Sequence, residues 1–150
     1  MYNTSITSTL MGTIMTKKSM ILLVDDRPEN LIALESILNE DHRTFLTATS
    51  GSEALIMTSL ENIDLILLDF HLGEMNGLDV TRQLRLNPAT ANIPVILVTA
   101  ISKREALNLD EFEPGTIDIL HKPLDFDETR AKVNLYEEMS LLRKQCTSNR

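Results

Sequence analysis

A chain of 150 residues, 43% hydrophobic and 24% charged, has the composition of one globular domain, which excludes a largely disordered protein. A formal net charge of −8 argues against a nucleic-acid-binding face, which needs clustered Lys and Arg, and disfavours an anionic membrane partner. The single cysteine, Cys146, excludes an internal disulfide and fits a reducing cytoplasm, and no Cys/His cluster points to zinc.

Met1–Ser19 is rich in Ser and Thr, with Lys17 and Lys18 late in it. The order is wrong for a signal peptide, so the stretch is expected to be a flexible extension. Met11, Met15 and Met20 are alternative starts. No apolar run approaches the roughly 20 residues of a membrane span. Met20–Val24 is a short, wholly apolar run that stops at Asp25 and Asp26. Pro28 opens a helix over Pro28–Asn39, with Leu31, Leu34, Ile37 and Leu38 at helical spacing. Arg43–Ala48 is a weaker strand. Ser50 and Glu53 resemble a capping box that opens a helix to about Ser59.

Leu65–Leu68 is another buried-strand pattern, ending in Asp69 and followed by a glycine-containing loop to Gly77. Asn76 caps a helix to about Arg85. Asn87–Asn92 is a loop, and Val95–Val98 is a strand ending in Thr99. A helix is expected over Lys103–Phe112, stopped by Pro114 and Gly115. Ile117–Leu120 is a last strand, ending in His121, Lys122 and Pro123. Asp125 and Glu128 cap a final helix reaching toward Gln145.

Strand and helix thus alternate five times, which predicts a doubly wound (βα)₅ fold, flavodoxin-like, with a five-stranded parallel sheet. The most apolar strands are placed centrally, giving the order 2-1-3-4-5. A ligand crevice then forms at the carboxyl edge, where the order reverses. Asp25, Asp26, Asp69, Thr99 and Lys122 all end strands at that edge. Crowded carboxylates coexist only if a cation joins them or one stays protonated. An all-oxygen site suits Mg²⁺, with Mn²⁺ as the alternative. Such a site can hold a phosphoryl group, and a carboxylate can attack phosphorus.

The segments VDDRPEN at Val24–Asn30, LILLDFHLGEMNG at Leu65–Gly77, IPVILVTA at Ile93–Ala100 and HKPLD at His121–Asp125 resemble the response-regulator receiver domains of two-component signalling. The resemblance spans roughly Met20–Glu138. It implies that Asp69 is the phosphoacceptor, and that Asp25, Asp26, Asp69 and the backbone carbonyl of His71 bind the metal. It further implies that Thr99 and Lys122 bind phosphoryl oxygens. The donor would be a histidine kinase or a histidine phosphotransfer protein, in the cytoplasm, and the chain would be a switch rather than an enzyme. A downstream protein would dock on the Lys103–Leu120 face.

Three positions depart from the family pattern. Ile119 stands where an aromatic switch residue is common. Gly73 stands where a proline is common, which predicts a looser loop. His71 lies beside the path of an attacking water, where its imidazole would tune the phosphoryl lifetime. After Tyr136 only fourteen residues remain, so an output domain is expected to be either absent or removed. Met139–Arg150 is read as a helical extension and tail. Ala131, Leu135, Met139, Leu142 and Cys146 draw an apolar stripe. Its early part is expected to pack on the sheet and its late part to pair as a homodimer.

Rival classes fit less well. A haloacid-dehalogenase-type phosphatase needs two Asp residues two apart, not the adjacent pair Asp25–Asp26. A flavodoxin-like cofactor binder needs a phosphate loop where Asp-Asp-Arg-Pro-Glu stands. A degenerate receiver is disfavoured by the complete residue set.

Overall fold

The computed structural model describes residues 18–100 and 107–148. The order is β1 (Ser19–Val24), α1 (Pro28–Leu38), β2 (Arg43–Ala48), α2 (Gly51–Leu60), β3 (Leu65–Asp69), β4 (His71–Leu72), β5 (Met75–Asn76), α3 (Gly77–Leu86), β6 (Val95–Thr99), β7 (Ile117–His121) and α4 (Phe126–Ser148). Five strands form a parallel sheet in the order β2-β1-β3-β6-β7, the flavodoxin-like order expected from the apolar runs. Strands β3 and β6 are buried at every residue, because helices cover both faces.

Alternation along the strands divides the core in two. Leu22, Val24, Ile66, Leu68, Val95 and Leu97 face one way, toward Ala54 of α2, Leu78, Val80 and Leu84 of α3, and Leu107 and Phe112. Ile21, Leu23, Leu65, Leu67, Ile96 and Val98 face the other, toward Leu31, Leu34 and Leu38 of α1 and Val133 and Tyr136 of α4.

The helix starts are chemically set. Asn76 and Asp79 exchange side-chain and backbone hydrogen bonds in a complete capping box at α3. At α2 only the serine half forms: Ser50 Oγ accepts from the Glu53 N–H, while the Glu53 carboxylate turns to the Thr49 hydroxyl. Asp125 Oδ2 accepts from the Glu128 N–H at the start of α4.

Three sequence-based expectations are corrected. First, the segment after Asp69 is not a plain loop. His71–Leu72 pairs with Met75–Asn76 as a small antiparallel hairpin. Gly73 takes the first place in its two-residue turn at φ +80°, a conformation that proline cannot adopt.

Second, the Lys103–Phe112 helix does not form over its described half. Leu107–Phe112 is a succession of bends and turns: Asn108 Oδ1 accepts from the Asp110 N–H, and Leu109 O from the Phe112 N–H. Four helices therefore lie among the described residues. The first half of that expectation, residues 101–106, lies outside the described residues, as does the Met1–Lys17 part of the N-terminal extension.

Third, the apolar stripe of α4 faces solvent along its described length. Leu135 is 53%, Met139 37% and Leu142 45% exposed. Ala131 is exposed too, and the side chain of Cys146 lies outside the described residues. The buried face is instead Thr129, Val133, Tyr136, Glu137 and Ser140. Polar partners from distant elements make the burial of Glu137 tolerable. Glu137 receives Arg43 Nε and Nη2, each at 2.9 Å, His42 Nε2 at 3.1 Å, and the Ser19 hydroxyl. Burial alone would push the Glu137 carboxyl up, but hydrogen bonds from Arg43, Ser19 and His42 hold it below the usual carboxylate range. Two turns on, Arg143 donates to Asn92 O and Lys144 pairs with Asp64. The helix is thus latched by charge to the amino-terminal rim of the sheet.

Candidate functional site

The opposite rim carries the candidate site. Backbone bonding continues one residue past several strand ends. Asp25 N–H donates to Ala48 O at 3.1 Å, Phe70 N–H to Val98 O at 2.9 Å, and Lys122 N–H to Thr99 O at 2.8 Å. The side chains at these ends are therefore held by the ladder rather than by mobile loops.

Asp25 is 2% exposed and Asp69 6%, whereas Asp26 is open to solvent. Each of the three offers a carboxylate oxygen, and these oxygens lie within 4.8 Å of one another. Lys122 Nζ is 3.0 Å from Asp69 Oδ1. Asp25 Oδ1 accepts from the Arg27 N–H at 2.9 Å, and its Oδ2 from Asn30 Nδ2 at 3.1 Å. Burial pushes the Asp25 carboxyl up; the Arg27 and Asn30 hydrogen bonds oppose this, and the charge of Asp69 adds to it.

The crowding of charge is what an oxygen-ligated divalent cation would relieve. A set of hard carboxylate oxygens, two of them on buried residues, fits Mg²⁺ or Mn²⁺. Gly77 shapes the wall behind the site. A Cβ there would lie 2.7 Å from Leu97 Cδ2 and 3.2 Å from the Asp69 carbonyl oxygen. The first turn of α3 can approach the Asp69 backbone only because that atom is missing.

Asp25, Asp26, Asp69 and Lys122 come together as the strand ends predict. Thr99 ends β6 beside them, 1% exposed and in register with His121. His71 is exposed on the hairpin, its ring edge-on to Phe70 at 4.9 Å. Ile119 is not at the rim: it pairs in register with Leu97, and its side chain is buried in the core. Asn30, which braces Asp25, was missed by sequence reasoning, as was Gly77. The Asn30 position in the first turn of a proline-led helix is the signal that would have found it.

The response regulator receiver domain family matches residues 21–134 of this chain. The response regulator PleD of Caulobacter vibrioides is 39% identical over 105 residues, covering 70% of this chain and 23% of PleD. The chain therefore spans about a quarter of that relative's length. Protein PilH of Pseudomonas aeruginosa is 34% identical over 112 residues, covering 75% of this chain and 91% of PilH. Among solved structures, the receiver domain of Francisella response regulator 1452 is similar at TM-score 0.71 and 25% identity, covering 82% of this chain and 99% of that one.

Proposed function

The chain belongs to the response regulator receiver family of two-component signalling, and on that footing we propose that Asp69 accepts a phosphoryl group from a phosphohistidine on a histidine kinase or a histidine phosphotransfer protein. An Asp69 carboxylate oxygen attacks phosphorus as the phosphorus–nitrogen bond breaks. The departing imidazole nitrogen keeps the bond's electron pair and takes up a proton. Lys122, already beside Asp69, follows the phosphoryl oxygens and offsets their charge. The Thr99 hydroxyl donates to another of them. Asp25, Asp26, Asp69 and the His71 carbonyl would hold the divalent cation, which neutralises phosphoryl charge when bound.

The observation that carries this reading is the meeting of three carboxylates and one ammonium at the carboxyl rim of a single sheet. Occupancy then biases Thr99 and β7, and a protein partner reads the Lys103–Leu120 face, of which residues 107–120 are described. The reaction takes place in the cytoplasm, and the chain is a switch with at most slow self-dephosphorylation. His71 sets how long the phosphoryl group survives.

The test is incubation with a small phosphodonor and Mg²⁺ followed by intact mass. One added phosphoryl is expected on the wild type and none on Asp69→Asn. A gain that survives Asp69→Asn, or no gain in the wild type, would refute the proposal. Equal dephosphorylation half-lives for wild type and His71→Ala would remove His71 from it.

A further inference from the structure

Asp25 carries a hydrogen-bond donor on each carboxylate oxygen: the Arg27 N–H on Oδ1 at 2.9 Å, and Asn30 Nδ2 on Oδ2 at 3.1 Å. The first is backbone and comes with the turn into α1. The second is a side chain in the first turn of α1, and the helix gains nothing from it. The donor is the Asn30 amide, so the bond satisfies none of the free N–H groups at the helix start. The backbone N–H of Asn30 is engaged elsewhere, on Arg27 O at 3.1 Å. The group served is Asp25.

The last torsion of an aspartate is soft. Held by the Arg27 N–H alone, the Asp25 carboxylate could pivot about that one bond. A second donor on the other oxygen fixes its plane. An ionised carboxylate offers about four lone-pair sites. The two donors take one on each oxygen and leave one on each for water or a cation. The neutrality of the brace matters as well. Three carboxylates and the Lys122 ammonium leave the cluster two negative charges, which one divalent cation balances. A second ammonium in place of Asn30 would cancel one of them and compete with the ion. An aliphatic side chain would leave Oδ2 of this buried residue without its donor. A neutral amide orients Asp25 and leaves its charge to the cation.

Given the proposed metal-assisted phosphoryl uptake, on which this rests, we propose that Asn30 is a positioning residue for the divalent cation. It acts through Asp25, holding that carboxylate where an oxygen of it meets those of Asp26 and Asp69. Hydrogen-bonding partners of metal ligands typically change metal affinity by about 10- to 100-fold.

Mn²⁺ titration followed by electron paramagnetic resonance, with Mg²⁺ as competitor, reads the site without phosphoryl transfer. The wild type should take up Mn²⁺ that Mg²⁺ displaces. Asn30→Ala should bind both ions about 10- to 100-fold more weakly. Alanine is a better helix former than asparagine, so a weakened α1 would not produce that loss. Ile32→Gly, at an exposed position two residues on, loosens α1 while leaving both Asp25 donors in place, and should keep the wild-type affinity. An Asn30→Ala variant with wild-type affinity overturns this inference and leaves the phosphoacceptor reading standing. Equal losses in Asn30→Ala and Ile32→Gly overturn it too, since the effect would then run through the helix. A wild type that takes up no Mn²⁺ overturns both.

Discussion

Lys122 Nζ lies 3.0 Å from Asp69 Oδ1, so the ammonium already sits on the carboxylate that the proposed chemistry uses. It thereby offsets the repulsion between Asp69 and Asp25, both nearly buried. Lys122→Met should destabilise the metal-free protein by about 1 kcal/mol, a modest figure because the lysine is partly exposed. Mg²⁺ should recover most of that loss. Paired thermal melts with and without the ion check this, and an equal loss in both would contradict it.

Asp25→Asn should act in the opposite sense. The Arg27 N–H can still donate to the amide oxygen, and one of the crowded negative charges disappears. The metal-free variant should be more stable than wild type by about 1 kcal/mol, and Mg²⁺ should no longer raise its melting temperature. The same carboxyl gives a pH dependence. Its folded pKa lies above the ordinary 3.8, so its ionised form costs stability. That cost should lessen as pH falls through the folded pKa toward 3.8, and Mg²⁺ affinity should fall over the same window. Melts across that window, compared with Asp25→Asn, isolate the contribution of this carboxyl.

At the other rim the sign reverses. Glu137 is held below the ordinary 4.5, so its contribution is present above pH 4.5 and lost as pH falls through the folded value. Glu137→Gln leaves the Arg43 guanidinium buried without its counter-charge and should cost about 3 kcal/mol. Replacing both, Arg43→Met with Glu137→Leu, should recover part of the loss. Denaturant unfolding of the wild type and these two variants tests the coupling.

Gly77→Ala should destabilise by about 1–3 kcal/mol, since the added methyl meets Leu97 and the Asp69–Phe70 backbone. Leu97 can shift; the backbone cannot without moving Asp69. Phosphoryl uptake from a small donor should therefore slow, which intact mass against time would show. Unchanged uptake with lowered stability would mean that Leu97 alone gives way.

The sheet was legible because strands buried on both faces write themselves as unbroken apolar runs, as in Leu65–Leu68 and Val95–Val98. The rim was legible because each run ends on a residue whose chemistry makes sense only beside the others. The outward face of α4 was not legible. Its apolar residues suggested burial, and the true inward residue Glu137 looks like a surface charge until Arg43, 94 positions earlier, is brought beneath it. The segment from Leu107 to Phe112 carries helix-compatible spacing. Yet Asn108 turns its side chain to the Asp110 N–H, and Glu111 is drawn to Arg82. Local hydrogen bonding and a distant ion pair won over periodicity.

Because the strand-end carboxylates inherit their aim from the pleat, the protein should forgive substitutions near them far better than changes in chain length. Deleting Leu68 would carry Asp69 into a place where the strand points its side chain among Leu22, Val24 and Leu97. A frame slip of one residue would thus bury in hydrocarbon the group that conservative exchanges around it would leave at the polar rim.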